Sequence, residues 1–226
     1  VQAAARWAHN NAVLPNSITL TSTGQTYMLR SYYSGALPTH ATGHKLGLWI
    51  EDLEKVKIDF NNGRLLVDIS IPAMANIKSV VGAVQQTGDQ AFARIENLRT
   101  GGGSWASTSD YPEHNLKLDY NPFVYGRIVN VKCRQSVDSL LKICGFVITL
   151  DQVDARFSST GNGIQAVTVS EDGNSATRTG YTIQNSTTDY TALQGISMTG
   201  SQGHTYCTFL NNTVDHCGRD FSNVTI

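Results

Sequence analysis

Residues 204–217 read HTYCTFLNNTVDHC, placing His204, Cys207, Asp215, His216 and Cys217 within one short stretch. Side chains of these types ligate metals or activate nucleophiles. A closed zinc site needs four convergent ligands. His216 and Cys217 are neighbours, and neighbours on a strand point to opposite faces. The chain has four cysteines, with no CxxC pair, so ribbon-type zinc and thioredoxin-type chemistry are excluded. No metal and no cofactor is expected. Cys133, Cys144, Cys207 and Cys217 read as buried free thiols, with a Cys207–Cys217 disulfide left open.

The stretch has a counterpart upstream. TIQNSTTDY (182–190) aligns with TFLNNTVDH (208–216), matching Thr182 with Thr208, Asn185 with Asn211, Thr187 with Thr213 and Asp189 with Asp215. The offset, 211 − 185, is 26 residues. A period of that size marks a solenoid. With short strands, polar turns and little helical periodicity, the solenoid that fits is all-β: a right-handed single-stranded parallel β-helix. Ile183 over Phe209 becomes a core stack, and Asn185 over Asn211 a turn ladder.

Glycoside cleavage uses two carboxyl groups, about 5–5.5 Å apart in retaining enzymes. Neighbouring parallel strands lie about 4.8 Å apart. Asp189 and Asp215, one turn apart, are therefore the first candidate catalytic pair. Asp151 and Asp154 form a second group, with Arg156 outward beside Asp154 and suited to an acidic sugar. Glu171 and Asp172 read as solvated turn residues. A third group lies in residues 99–123, read as a long protruding loop. There Trp105, Tyr111 and Tyr120 would offer rings to a glycan beside Glu113 and His114.

The elements that must position these groups follow from pattern. Ala-rich residues 2–11 predict a short helix. Alternating Ile18 and Leu20, then Tyr27 and Leu29, predict two strands around Gly24. Leu46–Ile50, Val56–Phe60 and Leu65–Ile69 alternate likewise, with Asn61-Asn62-Gly63 as a turn. The expected organisation is a cap of helix and lead-in strands over 1–45, then the solenoid over 46–226. The opening Val1 and the strand-like FSNVTI at the end suggest a piece of a longer protein.

Net charge is −1 and only 15% of residues are charged. Polarity comes from Ser, Thr, Asn, Gln and Gly instead, so nucleic acid is not an expected partner. No stretch reaches the roughly 18 apolar residues of a spanning helix, so no membrane partner is expected. The three Asn-x-Ser/Thr sequons, at Asn185, Asn211 and Asn223, read as turn composition.

The Ala-rich start, the strand pair ending at TYML, the LWIEDLEKVKIDFNNGRL segment and GYTIQNSTTDYTALQGISMTG together resemble the pectate-lyase-like β-helix superfamily, bacteriophage tailspikes most of all. The resemblance implies a homotrimer, other virion tail proteins as partners, an extracellular place on the virion tail, and a bacterial surface polysaccharide, capsule or O-antigen, that is bound and depolymerised. The polygalacturonase signatures (Asn-Thr-Asp, Gly-Asp-Asp, Gly-His-Gly) and the pectate-lyase Arg-x-Pro-x-x-Arg signature are missing, so no catalytic residue transfers from a motif. A non-catalytic tail component and a secreted non-viral polysaccharide lyase or hydrolase are the competing functions.

Overall fold

The computed structural model describes residues 2–11, 18–51, 56–68, 70–83, 93–102, 111–176, 179–200 and 204–218. One helix, α1 (Gln2–Asn11), precedes the strands β1 (Ile18–Thr21), β2 (Thr26–Leu29), β3 (Leu46–Ile50), β4 (Val56–Asp59), β5 (Arg64–Val67), β6 (Ser79–Ala83), β7 (Ala93–Glu96) and β8 (Arg99–Gly102). Two long strands follow, β9 (His114–Ser136) and β10 (Leu141–Ser158). The rest are β11 (Ile164–Val167), β12 (Thr179–Gln184), β13 (Thr187–Thr191), β14 (Ile196–Thr199), β15 (His204–Leu210) and β16 (Thr213–Cys217). All sixteen strands join one curled sheet whose ladders are parallel.

The ladders resolve into three columns. The first runs through β1, β4, β7, the middle of β9, the middle of β10, β12 and β15. The second runs through β2, β5, β8, the end of β9, the end of β10, β13 and β16. The third runs through β3, β6, the starts of β9 and β10, β11 and β14. One pass of the chain visits the three in turn, and β1 and β2 are already the first rungs of their columns.

Alternation decides what lies inside. Leu20, Ile58, Ile95, Ile128, Leu150, Ile183 and Phe209 stand in register down the first column. Leu48, Val81, Leu116, Leu141, Ile164 and Ile196 do the same in the third. Except for Phe209, which is 48% exposed, these apolar rows pack with Leu65, Cys133 and Ala155 of the second column in one core, joined by Ala8 of α1. The Gln2 side chain caps β3 by donating to Trp49 O at 2.7 Å and accepting from Trp49 N at 2.8 Å. α1 thus covers part of the first pass, where a bare strand edge would otherwise invite pairing.

From β7 onward, the bend from the first to the second column turns on one left-handed residue, two residues shorter than the bends between β1 and β2 and between β4 and β5. Asn97, Asn130, Gln152, Asn185 and Asn211 occupy it with φ of 54, 50, 57, 51 and 51°. Asparagine tolerates this left-handed conformation because its short amide bonds locally. The amides also bond along the stack. Asn130 Nδ2 donates to Asn97 Oδ1 at 2.7 Å, and Asn97 Nδ2 to Asp59 Oδ1 at 2.9 Å. Asn211 Nδ2 reaches Asn185 Oδ1 at 3.4 Å. The expected Asn185–Asn211 ladder is present. Phe209 stands in register with Ile183, but at 48% exposure it does not make the expected core stack.

Two expectations fail. Residues 99–123 are not one protruding loop: Arg99–Gly102 forms β8, and β9 begins at His114. Tyr111 and Tyr120 are not exposed rings, at 3% and 0% exposure. Tyr111 joins the main core. Tyr120 packs on the outer face of the third column, edge-on to Trp49 at 5.2 Å. Residues 30–45 fold over that face, Tyr33 and Leu37 covering Leu46, Trp49 and Tyr120. Gly82 leaves room there, since a Cβ would stand 3.2 Å from Trp49 and 3.3 Å from Tyr120. Rings next to Pro112 and Pro122 looked like loop composition, but the cover over the third column turns them inward. Trp105 lies outside the described residues.

Asn130→Gly should cost less than about 1 kcal/mol in urea unfolding, since glycine adopts positive φ freely. Asn130→Val should cost about 2 kcal/mol, because it loses the amide bond and strains the bend.

Candidate functional site

The second column carries a charged outer face. Its inward residues, Cys133, Ala155 and Thr188, are fully buried. The alternating positions between them point outward. Lys132, Asp154 and Thr187 form one outer row, and Arg134, Arg156 and Asp189 a second, with Asp215 beside Asp189 on β16. Four consecutive rungs thus stack Arg, Arg, Asp and Asp.

Ion pairs tie the rungs together. Asp154 sits between two guanidinium groups, Arg134 Nη2 at 2.5 Å and Arg156 Nε at 2.7 Å. Burial works to raise its carboxyl, but those two arginines outweigh burial and hold it below the usual carboxylate range. Arg156 Nη1 also lies 3.8 Å from Asp189 Oδ2. His216 Nδ1 bridges the next pair, 3.2 Å from Asp189 Oδ1 and 3.3 Å from Asp215 Oδ2. One ligand atom from each of Asp189, Asp215 and His216 lies within 4.8 Å of the others. Asp189 is half-buried, whereas the Asp215 side chain is 63% exposed and so open to a ligand.

His216 owes its position to a second bend. Gln135, Phe157, Tyr190 and His216 all have positive φ, 59, 72, 51 and 44°. Bulky residues are strained there, and such strain persists where the surroundings hold it. Here the rings hold one another. Phe157 stacks on Tyr190 at 5.3 Å, and Tyr190 on His216 at 4.7 Å with the planes 2° apart. Because the ring faces meet each other along the stack, this shelf presents mainly edges to a ligand.

The structure therefore brings Asp154, Arg156, Asp189 and Asp215 onto one face, in two adjacent rows, and leaves Asp151 out. Asp151 closes the first column, accepting from Asn185 Nδ2 at 3.0 Å with Arg127 Nη2 3.7 Å away. Those contacts, Asn185 foremost, lower its carboxyl. Glu113 and His114 stand elsewhere, where the chain enters the third column. All four cysteines are free, Cys133 and Cys144 buried.

The sequence reading missed Arg134 and His216 as partners of the aspartates. A signal was present: RQS, RFS, DYT and DHC at 134–136, 156–158, 189–191 and 215–217 share a charged, bulky, small order. It also missed a buried ion cluster. Lys117 is fully buried, with Asp119 Oδ1 and Glu171 Oε1 each 2.7 Å from its Nζ. Lys142 Nζ lies 3.3 Å from Asp119 Oδ2. Burial opposes ionisation of Asp119, yet Lys117 and Lys142 lower its carboxyl on balance. Glu171 is an exposed turn residue, as expected, whose carboxylate also pairs with Lys117: the turn at 170–174 folds back, its Glu171 and Asp172 N–H groups donating to the carbonyls of Asp119 and Tyr120.

Asp119, Asp154 and Glu171 all ionise more readily in the folded chain than when unfolded. Their stabilisation is complete above the unfolded carboxylate pKa, about 4, and is lost as pH falls through the lower folded values. Unfolding midpoints in urea should therefore drop on acidification. Asp154→Asn should be less stable than the parent near neutrality and lose less between pH 6 and pH 3. Comparison of the chain with protein-family models, curated proteins and solved structures finds no match.

Proposed function

We propose that the curled parallel sheet is part of a right-handed parallel β-helix of tailspike type, and that its second column binds and cleaves a bacterial surface polysaccharide. The observation that carries this reading is the stacking of Asp189 on Asp215, with His216 between them and Arg156 beside them. The carboxylate spacing falls near the short separation used in double-displacement glycoside hydrolysis.

The roles follow from the surroundings. Asp189 is the nucleophile, being the less exposed carboxylate and the one contacted by both Arg156 and His216. Asp215, the exposed partner, delivers a proton to the leaving oxygen and afterwards takes one from water. His216 holds the two carboxyl groups in register. Arg134 and Arg156 give the face affinity for acidic sugars. The setting on a virion tail, as a homotrimer among other tail proteins, rests on the sequence resemblance.

One observation favours binding without cleavage. Both arginines are engaged with aspartates, so the row is also a satisfied ion-pair network. Incubating the protein with capsule or O-antigen and assaying reducing ends separates the readings. Asp189→Asn and Asp215→Asn should each lower the cleavage rate by about 100-fold or more while binding persists. Binding by the parent chain without new reducing ends supports the receptor-binding role instead.

A further inference from the structure

A second cluster, remote in the chain from the proposed cleavage site, has the chemistry of a metal centre. Glu113 and His114 lead into the third column on one pass, and Asp138 leads into it on the next. The two lead-ins are stacked, Asp138 N–H donating to Glu113 O at 2.9 Å. The His114 side chain is 1% exposed. Its Nδ1 lies 2.8 Å from the Ser139 carbonyl oxygen, an acceptor, so Nδ1 carries the proton. In the neutral imidazole, Nε2 then keeps a lone pair.

Nε2 is buried and has no hydrogen-bond partner. It faces two carboxylates, Glu113 Oε1 at 3.4 Å and Asp138 Oδ2 at 3.9 Å. Three acceptors aimed at one point repel unless a cation lies between them. Ligand atoms from all three residues lie within 4.8 Å of one another. Metal–ligand bonds of about 2.0–2.2 Å in tetrahedral array place ligand atoms ~3.4 Å apart. The Glu113 edge already matches, and Asp138, partly exposed, can close its edge by side-chain rotation. The Ser139 carbonyl is the outer partner that orients a metal-binding imidazole.

We propose that Glu113, His114 and Asp138 bind a divalent d-block cation of the zinc class, clipping two successive passes together. One imidazole and two carboxylates suit zinc, with a fourth position open to water. Lys78 Nζ contacts Glu113 Oε1 and competes with the ion for that oxygen. This inference is independent of the polysaccharide reading.

Calorimetric titration of the metal-free chain with zinc chloride at pH 7.5 should give one strong site, and zinc should raise the thermal midpoint. Asp138→Asn should weaken binding at least about tenfold, a ligand being worth no less than an outer-shell partner. Lys78→Met, outside the ligand set, should tighten it by removing the competing charge. Absence of zinc binding by the folded chain overturns the proposal. So does binding that survives Asp138→Asn, or that is lost instead in Asp215→Asn, which marks the His216 cluster. A Lys78→Met chain that binds zinc no better than the parent removes Glu113 from the ligand set.

Discussion

The parallel register between successive passes is the constraint from which the rest follows. Each backbone ladder repeats the last, so a residue at one point of a pass fixes what its neighbours above and below can be. A left-handed residue at the bend must recur, and asparagine recurs there. An apolar side chain directed inward must meet another, and isoleucine and leucine fill the first and third columns. Strand spacing of about 4.8 Å sets every axial contact. Ring stacks, amide ladders and ion-pair rows are the three side-chain arrangements that suit it here.

The charged row is the polar counterpart of the core stacks. Like charges one rung apart repel, and the second column offsets this diagonally. Asp154 sits two residues before Arg156 and reaches both Arg134 below and Arg156 beside it. His216 performs the same service for Asp189 and Asp215. The cost of stacking carboxylates is thus carried by neighbours that also shape the face. Inside the cover over the third column the same physics gives Lys117 two carboxylate partners. A lone buried ammonium there would be far costlier.

Much of this was legible in the sequence wherever two passes had the same length. The 26-residue offset placed Asp189 over Asp215 and Asn185 over Asn211, and the register agrees. Ala-rich composition located α1, and alternation located β1, β2 and most later strands because inward rows are apolar. Elsewhere the period is irregular, with 22 residues separating Ile128 from Leu150 and 38 separating Leu20 from Ile58. Varying distance hides equivalence, so Arg134 and Arg156 were not recognised as further rungs of the aspartate row. Composition also misled at Tyr111 and Tyr120. Burial on the outer face of a strand depends on a covering segment from far away in the chain, which local pattern does not record.

The single-residue bend between the first and second columns has a bearing on where this chain can accept change. β9 and β10 each pass through it without a break, so those two columns are coupled as tightly as bonded peptide units allow. The connections into and out of the third column, by contrast, absorb most of the variation in length between passes from β7 onward. An insertion there shifts no rung of the charged row, while one residue added at the bend reverses every side chain after it. Diversification of this architecture is therefore channelled: its connectors are free to acquire new surfaces around a row that stays in step.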